Sequence, residues 1–150
     1  MKCRNRRIGL LATVGLLLVV TGCAPRVPDM PIPPAQPSLT DTSWILEEYG
    51  EPESLSPVIP DTQVTLSFDG TEEVTGFTGC NSYGGTYTSE PDGTLVFGEM
   101  HQTTILCEEP GVMDQEEAFM EALRLAEEYE VVDGYLYISG AGGLLVFSQT

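Results

Sequence analysis

Lysine occurs once in this chain, at Lys2, and beyond residue 7 only Arg26 and Arg124 carry a positive charge. Against them stand 23 Asp and Glu residues. A surface this poor in cations lacks the basic footprint that nucleic-acid phosphates require, and it repels anionic lipid headgroups for the same reason. Other absences narrow the field further. No apolar run reaches the ~20 residues that cross a bilayer as a helix. No Asp-x-Asp-x-Asp-Gly loop offers a calcium site, and no glycine-rich phosphate loop follows a strand and opens a helix. The single histidine is His101. With Cys80 and Cys107 it would supply three zinc ligands, but the spacing fits no compact zinc motif. No metal or cofactor is expected.

What is present begins with an export signal. Lys2, Arg4, Arg6 and Arg7 form a positive stub ahead of thirteen apolar or small residues, Ile8 to Val20. That length belongs to a signal-peptide core rather than to a membrane-spanning helix. Val20-Thr21-Gly22-Cys23 resembles the lipobox at which prokaryotic lipoproteins are lipidated and cut. The reading is a signal peptide over residues 1–22, a lipidated Cys23, and a protein anchored to the extracytoplasmic side of a cell-envelope membrane. A single acyl chain holds a protein only marginally, whereas two give stable attachment. The residue after the cysteine is Ala24, which carries no signal for inner-membrane retention.

Cleavage would leave Arg26 and Arg124 against all 23 acidic residues, a formal net charge of about −21. Self-repulsion at that charge favours solubility and lowers stability at low salt. A generically acidic exported surface and adaptation to high salt both fit. Next come six prolines between residues 24 and 38: Pro25, Pro28, Pro31, Pro33, Pro34 and Pro37. With Cys23 they form a linker over residues 23–38, either an extended polyproline stalk or a disordered tether.

Residues 39–150 have the size of one domain, and their pattern is mostly strand. Val64-Thr65-Leu66-Ser67-Phe68 alternates apolar and polar residues as a half-buried strand does. Strands are also expected over Ser43 to Tyr49, Val74 to Thr78, Gly85 to Ser89, Thr94 to Phe97, Tyr129 to Val132, Tyr135 to Ser139 and Leu144 to Ser148. Asp133-Gly134 is a two-residue hairpin link, in which both residues need a positive φ. Asp114, with Glu117 three residues on, predicts a helix N-terminus. Ala118, Phe119, Ala122, Leu123 and Ala126 continue it as an apolar stripe. The helix is expected over Asp114 to Glu127, with Glu127, Glu128 and Glu130 near its negative end, where carboxylates are unfavourable.

Cys3 would leave with the signal and Cys23 would carry lipid. Cys80 and Cys107 remain, in an oxidising compartment, and are expected to form one disulfide. A loop of about 27 residues closed in this way is worth about 3–4 kcal/mol in the chain-entropy account.

The segment Gly76-Phe77-Thr78-Gly79-Cys80-Asn81-Ser82-Tyr83-Gly84-Gly85-Thr86-Tyr87, with Thr103 four residues before Cys107, resembles the signature of the META domain family. That family includes the HslJ-like heat-shock lipoproteins. The matching motif positions are Gly79, Cys80, Asn81, Tyr83, Gly85, Tyr87, Thr103 and Cys107. The resemblance implies an α+β fold: a strongly curved, partly barrel-like antiparallel sheet with one helix packed across it. It implies envelope maintenance, stress tolerance or secretion-linked roles, and no established reaction. Family members often carry a basic residue where this chain has Ser82 and Thr104, so no role is assigned to a cation there. Some family folds also resemble lipoprotein pilots that hold a hydrophobic segment, an analogy of fold alone.

The function expected is a non-enzymatic stability or binding module, with a membrane contact through Cys23 and an envelope protein or apolar ligand as partner. A carrier sheltering an apolar ligand or peptide between helix and sheet is an alternative. A thiol hydrolase using Cys80, Asn81 and His101 is another, and requires a free thiol. In the non-catalytic reading, Asn81 bonds its own turn, Tyr83 covers the disulfide, and the glycines at 76, 79, 84 and 85 serve tight turns in a bending sheet.

Overall fold

The computed structural model describes residues 34–150. The signal, Cys23 and most of the proline-rich stretch lie outside the described residues. Among those described, no helix is long and apolar enough to cross a membrane.

The chain runs β1 (Thr42–Glu51), β2 (Ser54–Pro57), β3 (Val64–Phe68), β4 (Glu73–Thr78), β5 (Ser82–Ser89), β6 (Leu95–Gln102), α1 (Val112–Arg124), β7 (Ala126–Val132), β8 (Tyr135–Gly140) and β9 (Gly143–Gln149). One antiparallel sheet has the order β6-β5-β4-β3-β1-β9-β8-β7, with β2 paired to the far end of β1. Its inward face follows from alternation. Val64, Leu66 and Phe68 on β3 are buried, as are Trp44 and Leu46 on β1. Register shifts between Leu46 and Glu48, between Gly85 and Tyr87, and between Ala126 and Glu128 bend the sheet. The bending brings the two edge strands together at one end, where Thr94 bridges Glu128 and the Tyr129 amide donates to the Gly93 carbonyl at 2.7 Å. The result is a half-barrel with α1 packed against its open side through Phe119, Met120 and Leu123.

Several sequence expectations need correction. The helix begins at Val112, not Asp114, because Gly111 takes a left-handed conformation (φ 84°) that separates it from the preceding loop. Asp114 falls inside the first turn, where an acid still favours the helix dipole. The helix ends at Arg124. Ala126, Glu127, Glu128 and Glu130 belong to β7, whose pairing with β8 removes them from the helix end. The short strand β2, mostly exposed, gave no alternation to read. β5 starts at Ser82 and β6 runs on to Gln102, so most of the motif block lies in strand. The Asp133-Gly134 link has both residues at positive φ, 52° and 83°, as its hairpin requires.

The end of the proline-rich stretch lies on the domain. The Gln36 amide donates to the Pro91 carbonyl at 2.7 Å, and its side-chain oxygen accepts from the Val131 amide at 3.0 Å. Tyr129 Oη donates to the Pro37 or the Glu90 carbonyl.

Candidate functional site

The link between β4 and β5 is a four-residue turn, Thr78-Gly79-Cys80-Asn81. It is closed by the Thr78 amide on the Asn81 carbonyl (2.9 Å) and the Asn81 amide on Thr78 Oγ1 (2.9 Å). Gly79 has φ 94°, and a Cβ on it would crowd Thr62 Cβ (3.2 Å) and Gln115 Nε2 (3.3 Å). Conformation and space both require glycine there.

Asn81, 1% exposed, reaches away from its own turn. Its Oδ1 accepts from the Ile105 amide (2.7 Å) and from Thr103 Oγ1 (2.6 Å), and its Nδ2 donates to the Ile105 carbonyl (2.9 Å). One side chain thus pairs with the Ile105 backbone as a neighbouring strand would. The Ser82 amide donates to Thr103 Oγ1 at 3.2 Å. The Cys80–Cys107 disulfide fastens the far end of the same segment.

Beneath the turn lies Glu116, only 3% exposed. Its carboxyl group accepts from Thr78 Oγ1, the Asn81 amide (3.2 Å), Asn81 Nδ2 (3.0 Å) and Gln102 Nε2 (3.0 Å). Burial of such a group requires this number of donors. Beside it, the fully buried Gln115 accepts from the Ile59 amide (2.8 Å) and donates to Thr62 Oγ1 (3.1 Å). The junction therefore ties the β4–β5 turn, the segment after β6, the loop before β3 and the start of α1 into one knot.

The structure brings Gly79, Cys80, Asn81, Thr103 and Cys107 together and places the remaining motif residues elsewhere. Tyr83 does not cover the disulfide. It is buried inside the half-barrel, edge-on to Phe119 (5.6 Å), with its hydroxyl donating to the Thr65 carbonyl at 2.8 Å. That burial pushes its phenol pKa far above the ordinary value. Tyr87 packs edge-on to Phe68 at 4.7 Å and bonds the Asp69 carbonyl. Of the four glycines, only Gly79 makes a turn. Gly76 leaves room for the Tyr83 ring, and Gly85 for the Glu99 carbonyl and Met100 across the β5–β6 pair. His101 is exposed on the outer face of β6, against Gly84.

The disulfide leaves Cys80 without the thiol that a hydrolase or a zinc site would need. Among the described residues no group of three or more His, Cys, Asp or Glu side chains is placed to hold a metal ion. The arrangement fastens; among its buried side-chain polar atoms only Gln102 Oε1 has no partner.

Sequence reasoning missed Thr78, Gln102, Gln115 and Glu116. The signal for Glu116 was its spacing to Phe119, Met120 and Leu123, which puts a carboxyl group in the buried stripe once the helix starts at Val112. Gln102 carried no signal, because the strand was expected to end at Phe97.

The sequence profile of the META domain matches residues 37–150. No curated protein matches the chain. Among solved structures, an NMR structure of a protein from Burkholderia xenovorans has 25% identity and a TM-score of 0.65, covering 85% of this chain and 99% of its own. A second NMR structure has 19% identity and a TM-score of 0.58, covering 72% of this chain and 88% of its own. A crystal structure of a DUF4847 family protein from Bacteroides vulgatus has 16% identity and a TM-score of 0.52, covering 72% and 92%. The last two share the fold alone.

Proposed function

This chain belongs to the META domain family, and on that premise we propose a non-enzymatic binding and stability module, anchored by lipid on Cys23 to the extracytoplasmic side of a cell-envelope membrane. The observation that carries this reading is the Cys80–Cys107 disulfide inside the family motif. Disulfides persist in oxidising compartments and are rare in the reducing cytosol. The lipobox-like Val20-Thr21-Gly22-Cys23 supplies the route to such a compartment. Residues that would suit chemistry in the sequence are occupied otherwise: Cys80 is bonded, Asn81 holds a backbone segment, and His101 stands on the opposite face of β6 from Gln102, which reaches Glu116. Domain boundaries follow the same reading: signal over residues 1–22, lipidated cysteine and linker over 23–38, META-like domain over 39–150.

Intact mass spectrometry of membrane-extracted protein tests this directly. The expected product lacks residues 1–22, carries acyl mass on Cys23, and gains two hydrogens on reduction. A product with an intact N-terminus and two free thiols at Cys80 and Cys107 would overturn the proposal.

A further inference from the structure

The two edges of the sheet are treated differently. The β7 edge is covered by the chain itself, where Gln36 Oε1 takes the Val131 amide. The β6 edge meets β7 only at the Thr94–Glu128 bridge and pairs on its other side with β5 alone. The Thr103 amide donates to Ser82 on β5. Antiparallel alternation then turns the amides of Gln102 and Met100 outward, away from β5. An open row of this kind is a template for another strand.

Helix α1 runs beside that edge. Gln102 bonds Glu116 near the helix start, and the helix ends just before β7 reaches Thr94. A groove of about 270 Å³ runs along α1, lined by Met113, Asp114, Glu116, Glu117, Met120 and Arg124, and reaches β6 at Gln102. Two observations say what would fill it. First, Gln102 Oε1 is buried with no hydrogen-bond partner. Its orientation is fixed, since Nε2 donates to Glu116 Oε1 at 3.0 Å and a flipped amide would set two oxygens against each other. An unpaired buried acceptor calls for a donor. Second, Asp114 and Glu117 are exposed at the end of the groove nearer Gln102, while Arg124, the one cation in its lining, lies seven residues beyond Glu117 along the helix. The methionines supply an adaptable apolar floor.

The geometry points to a peptide site: an extended segment bearing lysine or arginine adds as a strand to the open edge of β6, with α1 as the other wall. Main-chain bonds to Met100 and Gln102 give it affinity. A cationic side chain meets Asp114 and Glu117 and, as it enters, uncovers Gln102 Oε1 and donates to it, while the apolar residues that alternate with it face Met113 and Met120. This gives the binding module proposed above a partner class. It rests on that reading, though not on the lipid anchor.

The test uses the full chain, labelled with nitrogen-15 in non-ionic detergent, and two capped pentapeptides, one alternating lysine with valine and one alternating glutamate with valine. The lysine peptide is expected to shift the Met100 and Gln102 amides saturably and to slow their hydrogen exchange. The glutamate peptide is expected to bind several-fold more weakly. Glu117→Lys, at an exposed position, is expected to narrow or reverse that preference without unfolding the domain. The proposal is overturned by shifts spread over the acidic surface that spare Met100 and Gln102, by the absence of saturation, or by an unchanged preference in Glu117→Lys. Any of these, in protein whose mass carries the lipid, removes the peptide site and leaves the anchoring intact.

Discussion

Asn81 and Glu116 show how much a single polar side chain can organise when it is buried with its partners. Asn81 satisfies an amide and a carbonyl of Ile105 at once, and Glu116 collects the donors left over beneath it. Removing either leaves the other and their shared partners buried and unpaired, at a cost of about 1–3 kcal/mol for each unsatisfied group. Asn81→Ala and Glu116→Ala are therefore expected to be strongly non-additive. Urea denaturation of both single variants and the double should show a coupling of about 0.5–3 kcal/mol; simple additivity would mean the two groups act independently.

Tyr83 gives a second prediction at the same scale, one about pH. Burial raises its folded pKa well above the unfolded value. The stability it contributes is complete below about pH 10, the unfolded tyrosine pKa, and is lost as pH rises beyond that, because the unfolded chain releases the proton and the folded chain holds it. Tyr83→Phe loses the bond to Thr65, worth about 1 kcal/mol at neutral pH. It should also lose less stability than the parent between pH 9 and 11. Parallel alkaline curves for the two proteins would contradict this.

Among the elements, the segment from the end of β6 to the start of α1 depends most on the disulfide. It has no sheet partner after Thr103, and its outer residues Ile105 and Leu106 are 57% and 84% exposed. Replacing Cys80 and Cys107 together with serine reopens a loop of 27 residues. The expected loss is about 3–4 kcal/mol, read as a lower urea midpoint with faster hydrogen exchange concentrated between residues 103 and 111. The elements also show which parts of the fold are legible from sequence. β3 could be read to its end residues, because Val64 to Phe68 alternates without interruption and Asp69-Gly70 closes it. The α1 boundaries could not. Asp114-Gln115-Glu116-Glu117 has the local chemistry of a helix cap, yet Gly111 sets the start and the pairing of Ala126 with Gly140 sets the end. The disulfide was legible from the cysteine count together with the expected export. The Glu116 knot was not, since its partners Thr78, Asn81 and Gln102 lie 14 to 38 residues away and only the sheet's curvature brings them together.

Across the whole molecule, charge is the dominant unbalanced term. Between residues 34 and 150 Arg124 is the sole lysine or arginine, against every acidic residue of the chain except Asp29. The repulsion has a place in the fold. Glu127, Glu128 and Glu130 stand exposed within one strand, and their partners across the β7–β8 ladder, Ser139 and Tyr137, bring no cation. Screening reaches only about 10 Å at 0.1 M salt and about 3 Å at 1 M, so neighbouring carboxylates on one strand still feel each other until salt is molar. The melting temperature is therefore expected to climb from low salt to molar potassium chloride. A relief of ~1 kcal/mol would appear as about 4–8 °C in a domain of this size. Neutralising the strand with glutamine at 127, 128 and 130 should raise the low-salt melting temperature and flatten the salt response. If the parent itself shows no salt response, its acidity is an ordinary surface composition whose charges are already far enough apart. A steep response that survives the triple substitution would locate the repulsion on another face of the domain.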